Sequence, residues 1–315
     1  MTQQLAERET IPNSPKLFII TGRPGRMGNR LLLFAHFIAF AEEHGYRVRN
    51  FTFQAYAKFF VGTCRDIYCE YPVSGQRRLL DSIPGLPKLV VDTRFLFRGA
   101  RFVRLLNQKF SLFGRSVVNL EELPGGITVL DGPEVESLVR PAKTVIVNGW
   151  RLRAPESLRK HAEKVRRYFD PVPEIEQKVS LVMERVRQNA QVVIGVHIRH
   201  TDYRRWRGGK YFYPVSRYAE WMRGLAGQFS DAKVSFLVCS DEPRSQEEFP
   251  GLSVVLSQNS PIEDLYALAK CDYVLGPMST FSQWASFQGN KPLLHLHHTD
   301  DRVDRENFRV SWLED

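Results

Sequence analysis

Long hydrophobic runs are missing from this 315-residue chain. The longest apolar stretch, Leu31 to Ala41, has eleven residues and includes His36, short of the eighteen or more that a membrane-spanning helix needs. The N-terminal residues, Met1 to Glu9, are polar and acidic rather than basic and then apolar like a secretion signal, so the chain is expected in the cytosol. Cysteine is scarce. Cys64, Cys69, Cys239 and Cys271 show no CxxC spacing, which argues against a zinc site or a disulfide scaffold; they are expected as reduced thiols, mostly in core strands. There is no repeat of fixed period and no low-complexity tract. Neither a GxGxxG fingerprint nor a Walker A loop occurs.

What is present is the composition of an ordinary folded protein, with 43% hydrophobic, 12% aromatic and 25% charged residues. The net charge of +9 is uneven: residues 1–150 hold 20 Lys and Arg against 13 Asp and Glu, residues 151–315 hold 24 against 22. Residues 1–15, with Pro12 and Pro15, read as a flexible lead-in. Leu17 to Ile20 then suits a buried strand, Gly22 to Asn29 a Gly-rich turn, Arg30 to His44 a helix ended by Gly45, and Tyr46 to Phe53 a second strand. This strand-loop-helix-strand unit is the usual sign of a parallel sheet. Residues 60–145 are broken by Pro84, Pro87, Pro124 and Gly125-Gly126. Beyond Asp170-Pro171-Val172-Pro173, which reads as a hinge, strands at Val192 to Ile198, Lys233 to Cys239, Tyr273 to Leu275 and Pro292 to Leu296 alternate with helices at Val215 to Gln228, Pro261 to Lys270 and Thr280 to Gln288. The fold class is therefore α/β, with residues 16–189 and 190–315 expected as two Rossmann-like domains.

Open α/β sheets bind ligands beyond the carboxyl ends of their strands, which directs attention to three loops. The first places Gly25 and Gly28 before a helix N-terminus, where close backbone approach and exposed N–H groups attract anions, although such a turn can equally be only tight. The second, Val196-His197-Ile198-Arg199-His200-Thr201-Asp202-Tyr203, sets Arg199 at a strand exit. An arginine fork can hold two phosphate oxygens and Asp202 can orient it; the same residues would also serve as a surface ion pair. The third offers Ser279, Thr280 and Ser282 around Phe281 at a helix start, as N-caps or as phosphate ligands. Upstream, Glu263 and Asp264 open a helix whose dipole favours them, and a carboxylate there can also read the N–H edge of guanine.

Together and in order, these loops resemble the GT-B fucosyltransferases: the α-1,2, α-1,6 and protein O-fucosyltransferase groups. His197, Arg199 and Asp202 match a His-x-Arg-Arg-x-Asp motif. Gly25-Arg26-Met27-Gly28-Asn29-Arg30 is similar to a Gly-x-x-Gly-Asn-Gln start. Asp264-Leu265-Tyr266 and Ser279-Thr280-Phe281-Ser282-Gln283-Trp284-Ala285 are similar to segments of the α-1,2 group. The resemblance covers roughly residues 17–50 and 145–296. It implies two doubly wound domains facing a cleft, and an inverting transfer of L-fucose from GDP-fucose to a glycan hydroxyl in α-1,2 linkage, with no cofactor and no divalent metal. It places Arg199 at the β-phosphate, Gly25, Gly28 and Asn29 at the diphosphate or sugar, Ser279, Thr280, Phe281 and Ser282 near phosphate, Asp264 at guanine and His197 in the nucleotide pocket. The chain departs at His200, where the motif has a second Arg, and at Arg204, Arg205 and Arg207, where the α-1,6 group has a glutamate.

Residues 94–115 gather Phe95, Phe102, Leu106, Phe110 and Phe113 on one helical face and Arg94, Arg98, Arg101, Lys109 and Arg115 on another. This reads as a core-packing helix with a solvated basic face or as a surface helix on an anionic membrane, serving a lipid-linked acceptor. Another GDP-sugar as donor, or a non-catalytic binding protein, are the competing readings. A nucleic-acid partner is not expected, because no recognised binding module is present.

Overall fold

The computed structural model describes residues 16–73, 98–99, 102, 104–106, 116–124 and 126–310. The lead-in 1–15 and most of the basic segment, including Arg94, Phe95, Arg101, Lys109, Phe110, Phe113 and Arg115, lie outside the described residues. In chain order the elements are β1 (Leu17–Ile20), α1 (Met27–His44), β2 (Arg47–Asn50), α2 (Gln54–Ala57), β3 (Glu70–Tyr71), β4 (Val117–Glu121), β5 (Thr128–Val129), α3 (Pro133–Val139), β6 (Thr144–Asn148) and β7 (Leu152–Arg153). They continue with α4 (Pro155–Tyr168), α5 (Pro173–Arg187), β8 (Val192–Ile198), α6 (Val215–Ala226), β9 (Val234–Ser240), β10 (Val254–Leu256), α7 (Pro261–Ala269), β11 (Tyr273–Pro277), α8 (Thr280–Gly289) and β12 (Leu293–Leu296).

Two compact units result, each drawn from several stretches: one from Met1–Arg23, His36–Gln54 and Ile67–His161, the other from Pro24–Ala35, Ala55–Asp66 and Ala162–Asp315. The segment Asp170–Pro173 and helix α5 fall in the second unit. That segment is pinned: Val61 N–H donates to the Asp170 carbonyl at 2.8 Å and Val172 N–H to the Phe59 carbonyl at 3.0 Å.

In the first unit the strand order is β3-β2-β1-β6-β4, parallel except for the edge strand β3. Phe18, opposite Val48 and Val145, packs on Phe37 and Phe40 of α1 with ring centroids 5.9 and 5.6 Å apart. Leu31 to Ala41 is buried on every side of its helix, which explains why this run is apolar without amphipathic spacing. His36 sits in it because its Nδ1 accepts from Ala154 N–H at 3.1 Å, so the polar atom is satisfied.

The second unit carries the all-parallel sheet β10-β9-β8-β11-β12. β8 and β9 pair along their whole length, from Val192 opposite Val234 to Ile198 opposite Ser240. Central strands buried on both faces need continuous apolar runs, and Val-Val-Ile-Gly-Val-His-Ile and Val-Ser-Phe-Leu-Val-Cys-Ser supply them. Every residue of α7 after Pro261 is buried. No disulfide joins the cysteines, and only Cys239 lies in a strand: Cys271 is buried in a turn, Cys69 is buried before β3, and Cys64 is exposed. The expectation of core-strand thiols therefore holds for one of them.

Candidate active site

Strand order in the second sheet reverses at β8, whose neighbours are β9 on one side and β11 on the other. Such a switch point opens a crevice beyond the carboxyl ends of the strands. Arg199 leaves β8 there, and Ser279 follows β11. Arg199 donates to Asp202 twice, from Nε at 2.9 Å and from Nη2 at 2.7 Å, and its Nη1 stands 3.4 Å from Ser279 Oγ. Its guanidinium lies 4.6 Å from the ring centroid of Tyr203, and the Tyr203 hydroxyl donates to the Met278 carbonyl at 2.5 Å. Burial opposes the charge on Arg199, but the Asp202 bonds outweigh it and hold the pKa above its ordinary value. Asp202 is correspondingly lowered, chiefly by its bond to Arg199, with Arg26 among the nearby charges. The pair is thus fixed as an ion pair with Nη1 left for a further acceptor.

Two helix N-termini meet beside it. Thr280, the first residue of α8, donates to Asn29 of α1 at 2.6 Å. A Cβ on Gly28 would stand 2.8 Å from Thr280 Oγ1 and 2.9 Å from its backbone carbon and oxygen, so glycine is what allows this approach. Gly25, exposed just before α1, has φ +32, and a Cβ there would meet the Asn29 amide at 2.6 Å. Ser279 caps α8 by accepting from Phe281 N–H at 3.2 Å. The positive ends of both dipoles therefore lie in one unit with the Arg199 fork.

His197, on β8, is buried with its ring 4.9 Å from that of Phe281. Burial, with Arg199 nearby, pushes its pKa down to about 3, so the imidazole is neutral at ordinary pH. Its Nδ1 has no hydrogen-bond partner among the described residues. Asp264 in the first turn of α7 is also buried, and burial raises its pKa to about 6 despite hydrogen bonds from Ser257 and Cys239. Glu263, its neighbour, instead completes a capping box with Ser260 and pairs with Lys178 at 2.8 Å.

The structure thus brings Gly25, Gly28, Asn29, His197, Arg199, Asp202, Ser279, Thr280 and Phe281 into connected contacts. Ser282 is different: it is fully buried, and its hydroxyl donates to the Ser279 carbonyl at 3.1 Å. Asp264 bonds instead with Ser257 and Cys239. His200, at the motif's second Arg position, is 3% exposed and held from several directions: Nε2 lies 2.7 Å from the Tyr213 carbonyl, Nδ1 3.2 Å from Arg244, and the ring centroid 4.6 Å from that of Phe212, tilted by 43°. Arg244, Asp241 and Trp206 are neighbours that sequence reasoning did not single out. Among the described residues, no three His, Cys, Asp or Glu side chains form a metal-ligand set.

No protein-family model matches the sequence, and no curated protein matches it. Solved structures do match. A mutant FUT1 of Arabidopsis thaliana, in complex with GDP, is 14% identical, covering 94% of this chain and 74% of its own at a TM-score of 0.56. The fucosyltransferase NodZ from Bradyrhizobium is 18% identical, over 94% of this chain and 97% of its own, with a TM-score of 0.51. An α-1,6-fucosyltransferase NodZ co-crystallised with GDP is 19% identical, over 90% and 96%, also at 0.51. The fold is GT-B-like. Within that fold, the crevice of the second sheet is where Arg199, Asp202 and the two helix starts lie, and among the described residues no helix is long and apolar enough to cross a membrane.

Proposed function

We propose that the chain is an inverting glycosyltransferase that moves L-fucose from GDP-fucose to a hydroxyl of a glycan or lipid-linked glycan in α-1,2 linkage. The observation that carries this reading is the Arg199–Asp202 fork at the meeting point of two helix N-termini, α1 and α8. A glycosyl transfer from a nucleoside diphosphate sugar forms a bond from the acceptor oxygen to the anomeric carbon. It breaks the bond to the β-phosphate, whose oxygen keeps the electron pair, and the O–H bond of the acceptor, whose proton is released to water. Charge develops on the departing diphosphate, and preorganised donors aimed at that charge lower the barrier. Arg199 Nη1, the Ser279 hydroxyl, Gly28 and the N–H groups at the starts of both helices supply such donors, while the Thr280 hydroxyl, donated to Asn29, ties the two starts together. Ser282, with its hydroxyl bonded to backbone, supports the start of α8 instead of meeting phosphate.

Asp264 takes the guanine: its carboxylate accepts the base's two neighbouring N–H donors, which adenine does not offer at that edge. Neutral His197 offers Nδ1 to the nucleotide. With fixed cations and dipoles in these places, transfer proceeds without a divalent metal. Incubation with GDP-fucose and oligosaccharide acceptors tests the reading: fucose should appear on the acceptor with release of GDP, and excess EDTA should leave the rate unchanged. Absence of any transfer or hydrolysis from a protein that binds GDP favours a non-catalytic binder. Equal rates with GDP-mannose point to another GDP-sugar.

A further inference from the structure

Beyond Asp202 the chain runs through Arg204-Arg205-Trp206-Arg207-Gly208-Gly209-Lys210, a loop the donor chemistry does not use. Trp206 is 40% exposed yet stacked: its ring is 4.9 Å from Tyr203 at 24° and 5.2 Å from Tyr211. Because Arg199 lies over the other member of that stack, Tyr203, an unbroken series of contacts leads from the fork to the exposed indole. Two cations sit on the same platform, Arg207 at 5.1 Å from the Trp206 ring and Lys210 at 5.3 Å from the Tyr211 ring. Arg204 donates from Nη2 to both carboxylate oxygens of Glu242 at 2.7 Å; among the described residues no ion pair engages Arg207 or Lys210. Arg207 also holds a left-handed backbone, φ 50 and ψ 40, ahead of Gly208 and Gly209 at φ 69 and 81. Glycine or asparagine adopts that conformation with less strain than arginine. A turn needed only for chain reversal has no use for a cation there.

We propose that this loop is the acceptor subsite, and that it takes a phosphate-bearing sugar, the ring against Trp206 and the phosphate on Arg207 and Lys210. The proposal rests on the donor reading above. The exposed indole offers an apolar face with a polar edge, which suits the C–H face of a sugar ring. Arg207 at that ring and Lys210 at the neighbouring Tyr211 ring offer what a phosphate group, with up to two negative charges and several acceptor oxygens, recognises.

Calorimetry on the full chain saturated with GDP, so that the donor phosphate site is filled, tests this with galactose, galactose 1-phosphate and inorganic phosphate as probes. The expected result is at least tenfold tighter binding of galactose 1-phosphate than of either part alone. Arg207→Asn, which relieves the backbone strain, should remove that gain while leaving GDP affinity as it was. Trp206→Ala should weaken the sugar phosphate, and Trp206→Tyr should restore much of it. Equal affinities for galactose and galactose 1-phosphate overturn the proposal, as does a loss of GDP affinity in Arg207→Asn that matches its loss of sugar phosphate. Tighter capture by phosphatidylglycerol vesicles or by a single-stranded oligonucleotide than by galactose 1-phosphate also overturns it, assigning the loop to a membrane surface or a nucleic acid. Should GDP itself not bind, the donor reading fails, and the sugar-phosphate titration without GDP still decides the loop.

Discussion

Arg199 is the residue on which the proposed chemistry turns. Its partner Asp202 is 39% exposed at the side chain, so truncating the arginine leaves no buried unpaired charge and the fold should survive. Arg199→Ala is expected to lower the rate of fucosyl transfer by about 10²–10³-fold, roughly 3–4 kcal/mol, the usual loss for one preorganised donor. Steady-state rates beside a thermal melt check this; near-normal transfer in a folded variant contradicts it. Asp264 carries the second residue-scale prediction. Its pKa of about 6 in the folded chain lies above the ordinary aspartate value of 3.8, so the folded state holds this proton more tightly than the unfolded one. Protonation of Asp264 therefore adds stability as pH falls from about 6 towards 4, and that contribution is absent above 6. Guanine binding demands the ionised form, which gives the opposite slope for affinity. GDP affinity should fall by up to about tenfold per pH unit below 6 and the slope should vanish in Asp264→Asn. A flat wild-type profile between pH 5 and 7 removes Asp264 from the guanine site.

At the scale of elements, the contact between the starts of α1 and α8 holds the site. A methyl group on Gly28 meets the Thr280 backbone at 2.9 Å, and a backbone cannot swing aside as a long side chain does. Gly28→Ala is therefore expected to cost about 1–3 kcal/mol of stability, as overpacking does, and to weaken GDP binding because the two N-termini move apart. Denaturant unfolding with a GDP titration checks both; an unchanged midpoint and affinity contradict the account. The same elements show how far the sequence was legible. β8, at Val192–Ile198, coincides with its sequence-predicted limits, and α6, α7 and α8 lie within two residues of theirs, because continuous apolar runs there are bounded by Pro, Gly and polar caps. β10 was missed, since Val254–Leu256 has three residues and too few positions to show a period. β4 lay in the stretch that Gly and Pro break up. The three loops could be named from sequence, but the Thr280–Asn29 bond joins residues 251 apart, and no local pattern encodes it. At His200, where the motif has a second Arg, the ring is packed and bonded beside Arg244, a neighbour that only the β8–β9 pairing brings near.

For the whole molecule, the sequence-based division at residue 189 and the observed units differ because the end of α4, the turn after it and all of α5, which precede residue 189, fall in the second unit. Phe169 packs on Trp284 at 5.1 Å and Tyr266 donates to its carbonyl, so the end of α4 and its following turn belong to the core of the second unit. The second unit thus holds all the candidate donor residues, Gly25, Gly28 and Asn29 among them, although these precede the rest by well over a hundred positions. Folding of the donor site accordingly requires an N-terminal loop to dock on a C-terminal sheet. A ligand that binds there should stabilise the native state by roughly 2.7 kcal/mol at a hundred times its dissociation constant, which is readily seen as a shift in Tm. The most direct test of the central claim is therefore the melt of the wild-type chain and of Arg199→Ala with GDP, GDP-fucose and ADP at equal concentrations. The account predicts that GDP and GDP-fucose raise the wild-type Tm, that ADP does not, and that the shift largely disappears in Arg199→Ala; equal shifts with GDP and ADP, or shifts indifferent to Arg199, contradict it.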